Sequence, residues 1–103
     1  MKVAIAGGGI GGLTAALCLA QFGHEVLVVE RAETLGEVGA GLQISPNAMK
    51  VFHELGLAQA LLKSGFQPEA AEFRFGKSGQ RIFTAPLGEW AERRWGAPYV
   101  HVH

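Results

Sequence analysis

The segment Gly7-Gly8-Gly9-Ile10-Gly11-Gly12 contains the spacing Gly-x-Gly-x-x-Gly at Gly7, Gly9 and Gly12. Glycine at these intervals does what a side chain would prevent. Gly7 permits a tight turn, Gly9 lets a diphosphate approach the backbone, and Gly12 lets a helix pack close to a strand. Gly11 lies in the same loop and joins them as a cofactor-binding candidate. The free N–H groups and positive end of the helix that follows face the bound phosphates. Glu30 stands downstream, near the 20-residue spacing expected of an acid that accepts hydrogen bonds from an adenosine ribose. Its charge repels a 2′-phosphate, so this site disfavours NADP. The chemistry indicated is dinucleotide binding.

That chemistry needs a strand before the glycines and a helix after them. Lys2–Ala6 is short, apolar and partly β-branched, which predicts a buried parallel strand. Gly11–Phe22 is rich in Ala and Leu and stops at Gly23, a C′ glycine, which predicts a helix. Glu25–Glu30 predicts a second strand. Together they form a βαβ unit, the start of an α/β, Rossmann-like, doubly wound sheet.

Residues 31 to 44, with Gly36, Gly39 and Gly41, read as a loop. Ser45-Pro46 opens a second helix, with Ser as N-cap and Pro at the first helical position, and Gly56 ends it. A short third helix is expected over Ala58–Lys63. Phe73–Phe75 and Ile82–Thr84 flank Gly76-Lys77-Ser78-Gly79 and predict a β-hairpin. Leu87–Trp95 predicts a short helix, and Tyr99–His103 the start of another strand in which the chain stops. A strand without cap or tail is the expectation for the front piece of a longer protein.

Composition narrows the function further. The chain has 103 residues, 49% apolar and 17% charged, enough for one compact globular unit at most. Nine Lys and Arg balance nine acidic residues, all of them Glu. A neutral chain without a basic run offers no electrostatic footprint for nucleic acid or an anionic membrane. The N-terminal apolar run is broken by the glycines, unlike a signal peptide, and is too short to span a bilayer. Leu17 before Cys18 is too large for a lipoprotein cleavage site. With one cysteine, an internal disulfide cannot form. These points predict a cytoplasmic protein. Cys18, mid-helix among Ala and Leu, is expected to be a buried structural thiol. His101 and His103 share a strand face, but no Cys or further acid completes a metal site, so no metal is expected. Trp90 and Trp95 read as helix packing with Arg93 and Arg94 as its solvated edge. Without Asp, no Ser-His-Asp arrangement is available.

A second stretch, Gly39 through Val51, is more specific. It includes the Gly39-Ala40-Gly41 turn and Ser45-Pro46-Asn47. With the glycine loop, Glu30-Arg31, Leu87-Gly-Glu-Trp90 and Tyr99-Val-His-Val-His103, the chain resembles the N-terminal portion of FAD-dependent aromatic-ring monooxygenases of the salicylate and hydroxybenzoate hydroxylase type. The resemblance implies FAD in an extended form, with Glu30 on the adenosine ribose and Arg31 beside it. Gly41 to Gln43 would lie near the inner end of the cofactor. Some relatives carry a functional His where Gln43 stands; Gln donates and accepts hydrogen bonds but cannot titrate. The resemblance also implies NADH or NADPH as electron donor and O2 as co-substrate for hydroxylating a small aromatic ring.

In domain terms it implies an FAD-binding segment over 1–68, a hairpin excursion toward the substrate domain over 69–86, and a return to the FAD-binding domain over 87–103. No catalytic residue is expected within 1–103, and self-association into a homo-oligomer would cover its exposed faces. Two other readings fit the same residues. One is a different FAD- or NAD-dependent oxidoreductase on the same βαβ start; the other is a non-catalytic dinucleotide-binding module.

Overall fold

The computed structural model describes residues 1–36, 39 and 41–103. Glu37, Val38 and Ala40, within the expected loop and the Gly39-Ala40-Gly41 turn, lie outside the described residues. The chain divides into two compact units, Met1–Gly39 and Ala40–His103.

In the first unit, β1 (Lys2–Ala6) and β2 (Glu25–Val29) pair in parallel, Val3 against Val26 and Ile5 against Val28. Helix α1 (Ile10–Gln21) connects them. The apolar strands form because β-branched residues suit a pleated, half-buried surface. Alternation then splits each strand: Val3, Ile5, Val26 and Val28 are half-buried, while Ala4, Ala6, Leu27 and Val29 face outward. Gly23 adopts φ +81° directly after the helix, as a C′ glycine should. Within α1 no described residue is fully buried, and Cys18 is half-buried rather than enclosed. One helix on a two-stranded sheet cannot bury its whole circumference, which corrects the expectation of a buried thiol.

The second unit holds the core. β3 (Leu42–Ile44) and β6 (Val100–Val102) pair antiparallel, with Gln43 opposite His101 and Ile44 opposite Val100. The sequence predicts a loop over Leu42–Ile44. Three residues carry too little periodicity to announce a strand, and this one exists because β6 supplies its hydrogen bonds. Helices α2 (Pro46–Glu54) and α3 (Ala58–Ser64) pack Met49, Phe52, Ala58, Leu61 and Leu62 against Ile44 and Val100. Met49 and Val100 are essentially fully enclosed. Ser45 is the N-cap residue and Pro46 opens the helix as expected. The Ser45 hydroxyl, however, donates to Asn47 Oδ1 instead of capping a backbone amide.

Strands β4 (Ala70–Arg74) and β5 (Arg81–Pro86) form the expected hairpin, longer than its aromatic residues alone suggested. Phe73 and Phe83 stack across it at 4.3 Å, and Glu72 pairs with Arg74 and Arg81. Helix α4 (Gly88–Trp95) follows and ends on Gly96 at φ +75°. Trp90 and Trp95 meet edge to face at 5.1 Å on α4, both still partly exposed.

Candidate functional site

The glycine loop is built from the end of β1 upward. Gly7 adopts φ +110°, a conformation closed to most side chains, and its N–H donates to Val29 O at 2.7 Å. Gly8 is buried. A Cβ there would lie 3.1 Å from both Glu30 Cβ and Leu35 Cδ2. Gly9 is the N-cap of α1, and among the described residues no side chain caps this helix. The first intrahelical bond runs from Leu13 N to Gly9 O at 2.9 Å. The amides before Leu13 therefore point out of the helix end without an i−4 acceptor. No acidic residue stands in this first turn, so nothing in it competes with an anion.

The glycines of this loop have different reasons to be glycine. A Cβ on Gly12 would fall 2.0 Å from Gly7 O and 3.5 Å from Ile5 Cγ2, so the protein itself excludes a side chain there. Gly9 has φ −75°, and neither a Gly9 nor a Gly11 Cβ would meet any atom within 4 Å. Folding does not require glycine at these two positions. Glycine inside a helix costs about 1 kcal/mol relative to Ala. The bare surface at Gly9 and Gly11, over uncapped amides, fits an anionic group brought against the backbone.

Glu30 follows the last residue of β2. Its Oε2 accepts from Gly8 N at 2.5 Å and its Oε1 from Ala32 N at 2.8 Å. These amides, Ala32 foremost and then Gly8, hold the carboxyl below its ordinary value of 4.5. Partial desolvation opposes them, and the Arg31 amide adds a smaller lowering. The carboxylate thus braces the glycine loop from the end of the neighbouring strand. Each oxygen keeps a second lone-pair direction for a ligand hydroxyl. The Arg31 side chain is exposed beside it.

Gly41 and Gln43 belong to the second unit. Gly41 adopts φ +146°, and a Cβ on it would come 3.1 Å from Val102 O. Gln43 lies on the exposed face of β3, and its Oε1 accepts from the Tyr99 hydroxyl at 2.9 Å. A cleft opens between Gly41–Gln43, Ser64–Phe66 and His101–His103. Gly65 sits in its wall, where a Cβ would lie 2.5 Å from Val100 Cγ1 and 2.7 Å from Leu61 O.

Sequence reasoning missed three of these relationships. The Glu30–Gly8 bond was hidden because it crosses between two strands. The Gly65 contact needed the position of β6. Tyr99 was the most accessible of the three, since Tyr99 and His101 stand two residues apart in the expected strand Tyr99–His103, although β6 itself begins at Val100; its partner on β3 was not.

The family described as "FAD binding domain" matches residues 1–99. The 3-amino-4-hydroxybenzoate 2-monooxygenase of Streptomyces cremeus is 42% identical over 103 residues, covering 100% of this chain and 26% of that protein. The crystal structure of Klebsiella pneumoniae HpxO complexed with FAD and uric acid aligns with a TM-score of 0.80 at 29% identity, covering 99% of this chain and 25% of that one. The tetrameric form of 2-methyl-3-hydroxypyridine-5-carboxylic acid oxygenase aligns with a TM-score of 0.81 at 27% identity, covering 97% of this chain and 24% of the other. The chain spans about a quarter of the length of the relatives it matches.

Proposed function

Since the chain belongs to the FAD binding domain family, we propose that it is the FAD-binding part of a monooxygenase that hydroxylates a small aromatic or heteroaromatic ring with O2. FAD, reduced by NADH or NADPH, supplies the electrons and the activation of O2. The chain's own residues bind and orient. The loop at Gly7, Gly9, Gly11 and Gly12 takes the diphosphate on the uncapped end of α1. Glu30, with Arg31 beside it, takes the adenosine ribose while its bonds to Gly8 and Ala32 keep the loop in shape. Gly41 and Gln43 take the inner end of the cofactor. Gln43 does not titrate, so it positions and moves no proton. No catalytic residue is assigned within 1–103, and the 69–86 hairpin is read as reaching toward the substrate domain.

The observation that carries this reading is the bare surface at Gly9 and Gly11, which folding leaves unexplained. The names of the relatives, which act on substituted benzoate and pyridine rings or are bound to uric acid, support an electron-rich ring as substrate class. We place the protein in the cytoplasm. Among the described residues no helix is long and apolar enough to cross a membrane, and the lone cysteine is a free thiol. A homo-oligomer is the proposed assembly, in line with the tetrameric relative.

The test is to purify the whole protein, quantify its flavin, and follow NADH and NADPH oxidation with a panel of aromatic and heteroaromatic acids. The expected result is one FAD per chain, oxidation stimulated by a subset of the acids, and a hydroxylated product. Protein that neither retains nor takes up FAD would overturn the cofactor assignment. Bound FAD with no hydroxylated product from any acid would replace the monooxygenase by another FAD-dependent oxidoreductase.

A further inference from the structure

The β3–β6 ribbon has two unlike faces. Ile44, Val100 and Val102 turn into the core of the second unit. Gln43 and His101 lie directly opposite each other on the other face, and Tyr99, the residue before β6, joins them there through contacts with both. On that face the Tyr99 hydroxyl donates to Gln43 Oε1 at 2.9 Å. The Tyr99 ring leans on the His101 imidazole, with centroids 5.4 Å apart and a tilt of 58°. The phenol is thereby braced by the imidazole two residues on.

A glutamine amide on an exposed strand has two nearly equivalent orientations, one presenting its oxygen and one its NH2. The orientation seen here is the one in which the Tyr99 hydroxyl donates to Oε1. With Tyr99 on the oxygen, the group that Gln43 offers outward is the Nε2 donor. We propose that Tyr99 is the positioning residue that makes Gln43 a fixed hydrogen-bond donor toward an acceptor atom on the ring end of the cofactor. This rests on the placement of Gln43 beside that end made above. A donor there stabilises the more electron-rich, reduced form of the ring, so it raises the reduction potential. Tyr99 then acts on the cofactor only through Gln43.

The experiment uses the whole protein and measures two quantities besides turnover: the FAD dissociation constant and the potential of the bound flavin. The variants are Tyr99→Phe, Gln43→Leu and the pair together. Tyr99→Phe keeps the ring against His101 and removes only the hydroxyl. The expected result is a more negative potential in Gln43→Leu and a smaller shift of the same sign in Tyr99→Phe. FAD should bind about 2- to 10-fold more weakly in each, the range of one neutral hydrogen bond. The double variant should match Gln43→Leu, since Tyr99 has nothing left to position. A shift in Gln43→Leu with none in Tyr99→Phe, or strictly additive shifts in the pair, would overturn the role of Tyr99 and leave Gln43 in place. No change in Gln43→Leu would remove Gln43 from the cofactor and the proposal with it.

Discussion

Gly12 lies so close beneath the Gly7 carbonyl that a Cβ on it would stand 2.0 Å from that oxygen. The first turn of α1 and the turn after β1 are pressed together at this point. At Gly9 and Gly11, in the same loop, a Cβ would meet nothing within 4 Å. Glycine is therefore required by packing at Gly12, by backbone conformation at Gly7 and, on the proposed reading, by the ligand at Gly9 and Gly11.

The packing and ligand requirements separate experimentally. Gly12→Ala should destabilise the whole protein by about 1–3 kcal/mol or more, because a backbone oxygen cannot yield to the new methyl. Gly11→Ala should leave stability unchanged or raise it by up to about 1 kcal/mol, and Gly9→Val should still fold. Both should lose FAD, Gly9→Val entirely. Thermal unfolding of the apo forms beside flavin titration checks the pattern. A Gly9→Val protein loaded one-to-one with FAD would contradict the phosphate-loop assignment.

Glu30 should leave a signature at acid pH. Its folded-state pKa is depressed by the Ala32 and Gly8 amides. The unfolded chain therefore binds this proton more readily than the folded one. The stability from Glu30 is present above the ordinary value of 4.5 and is lost as pH falls through the lower folded value. Glu30→Gln should flatten this part of the acid limb of a stability–pH profile. On the proposed function it should also weaken FAD binding by about tenfold or more, through loss of charge-assisted bonds. A profile identical to the parent's would show that the carboxylate does not brace the loop.

Gly65 is a test of packing alone. Its φ of −95° is open to any residue, yet a Cβ would sit 2.5 Å from Val100 Cγ1, 2.7 Å from Leu61 O and 2.9 Å from His101 O. Two of these neighbours are backbone and cannot rotate away. Gly65→Ala should cost about 1–3 kcal/mol, read as a lower denaturation midpoint. Gly65→Ala combined with Val100→Ala should recover little, since the two carbonyl contacts persist.

The outer face of β1 and β2 should govern the behaviour of residues 1–103 as an isolated polypeptide. Leu27 is 63% exposed and Val29 58%, beside Ala4 and Ala6 on a two-stranded sheet. An apolar sheet face of this kind drives association. Sedimentation of the isolated polypeptide should show self-association, and Leu27→Lys with Val29→Thr should reduce it. The same polypeptide should hold FAD weakly and oxidise no NAD(P)H, because a ligand of this size is normally ~70–90% enclosed and the chain spans about a quarter of the length of its FAD-bound relative. Tight one-to-one FAD binding with substrate-stimulated turnover would refute this.

What the sequence alone determined is what neighbouring residues decide among themselves. β1, α1 and β2 were legible because apolar periodicity and breakers act over a few positions. The positive φ of Gly23 and Gly56 and the N-cap placement of Ser45 follow from the same local rules. So does the dinucleotide chemistry, since one turn holds all its glycines. Leu42–Ile44 is a strand only because Val100–Val102, from the far end of the chain, pairs with it. Gly12 was read as packing on a strand, and its nearest obstacle proved to be the Gly7 carbonyl. The sequence places Glu30 where a ribose would sit, whereas the bonds its oxygens make in the fold are to the Gly8 and Ala32 amides. Gln43 is expected near the inner end of the cofactor, and nothing local announces the Tyr99 hydroxyl on its oxygen. Hydrogen bonds between residues distant in the chain depend on atoms within about 3 Å of each other, and only the folded backbone sets such distances.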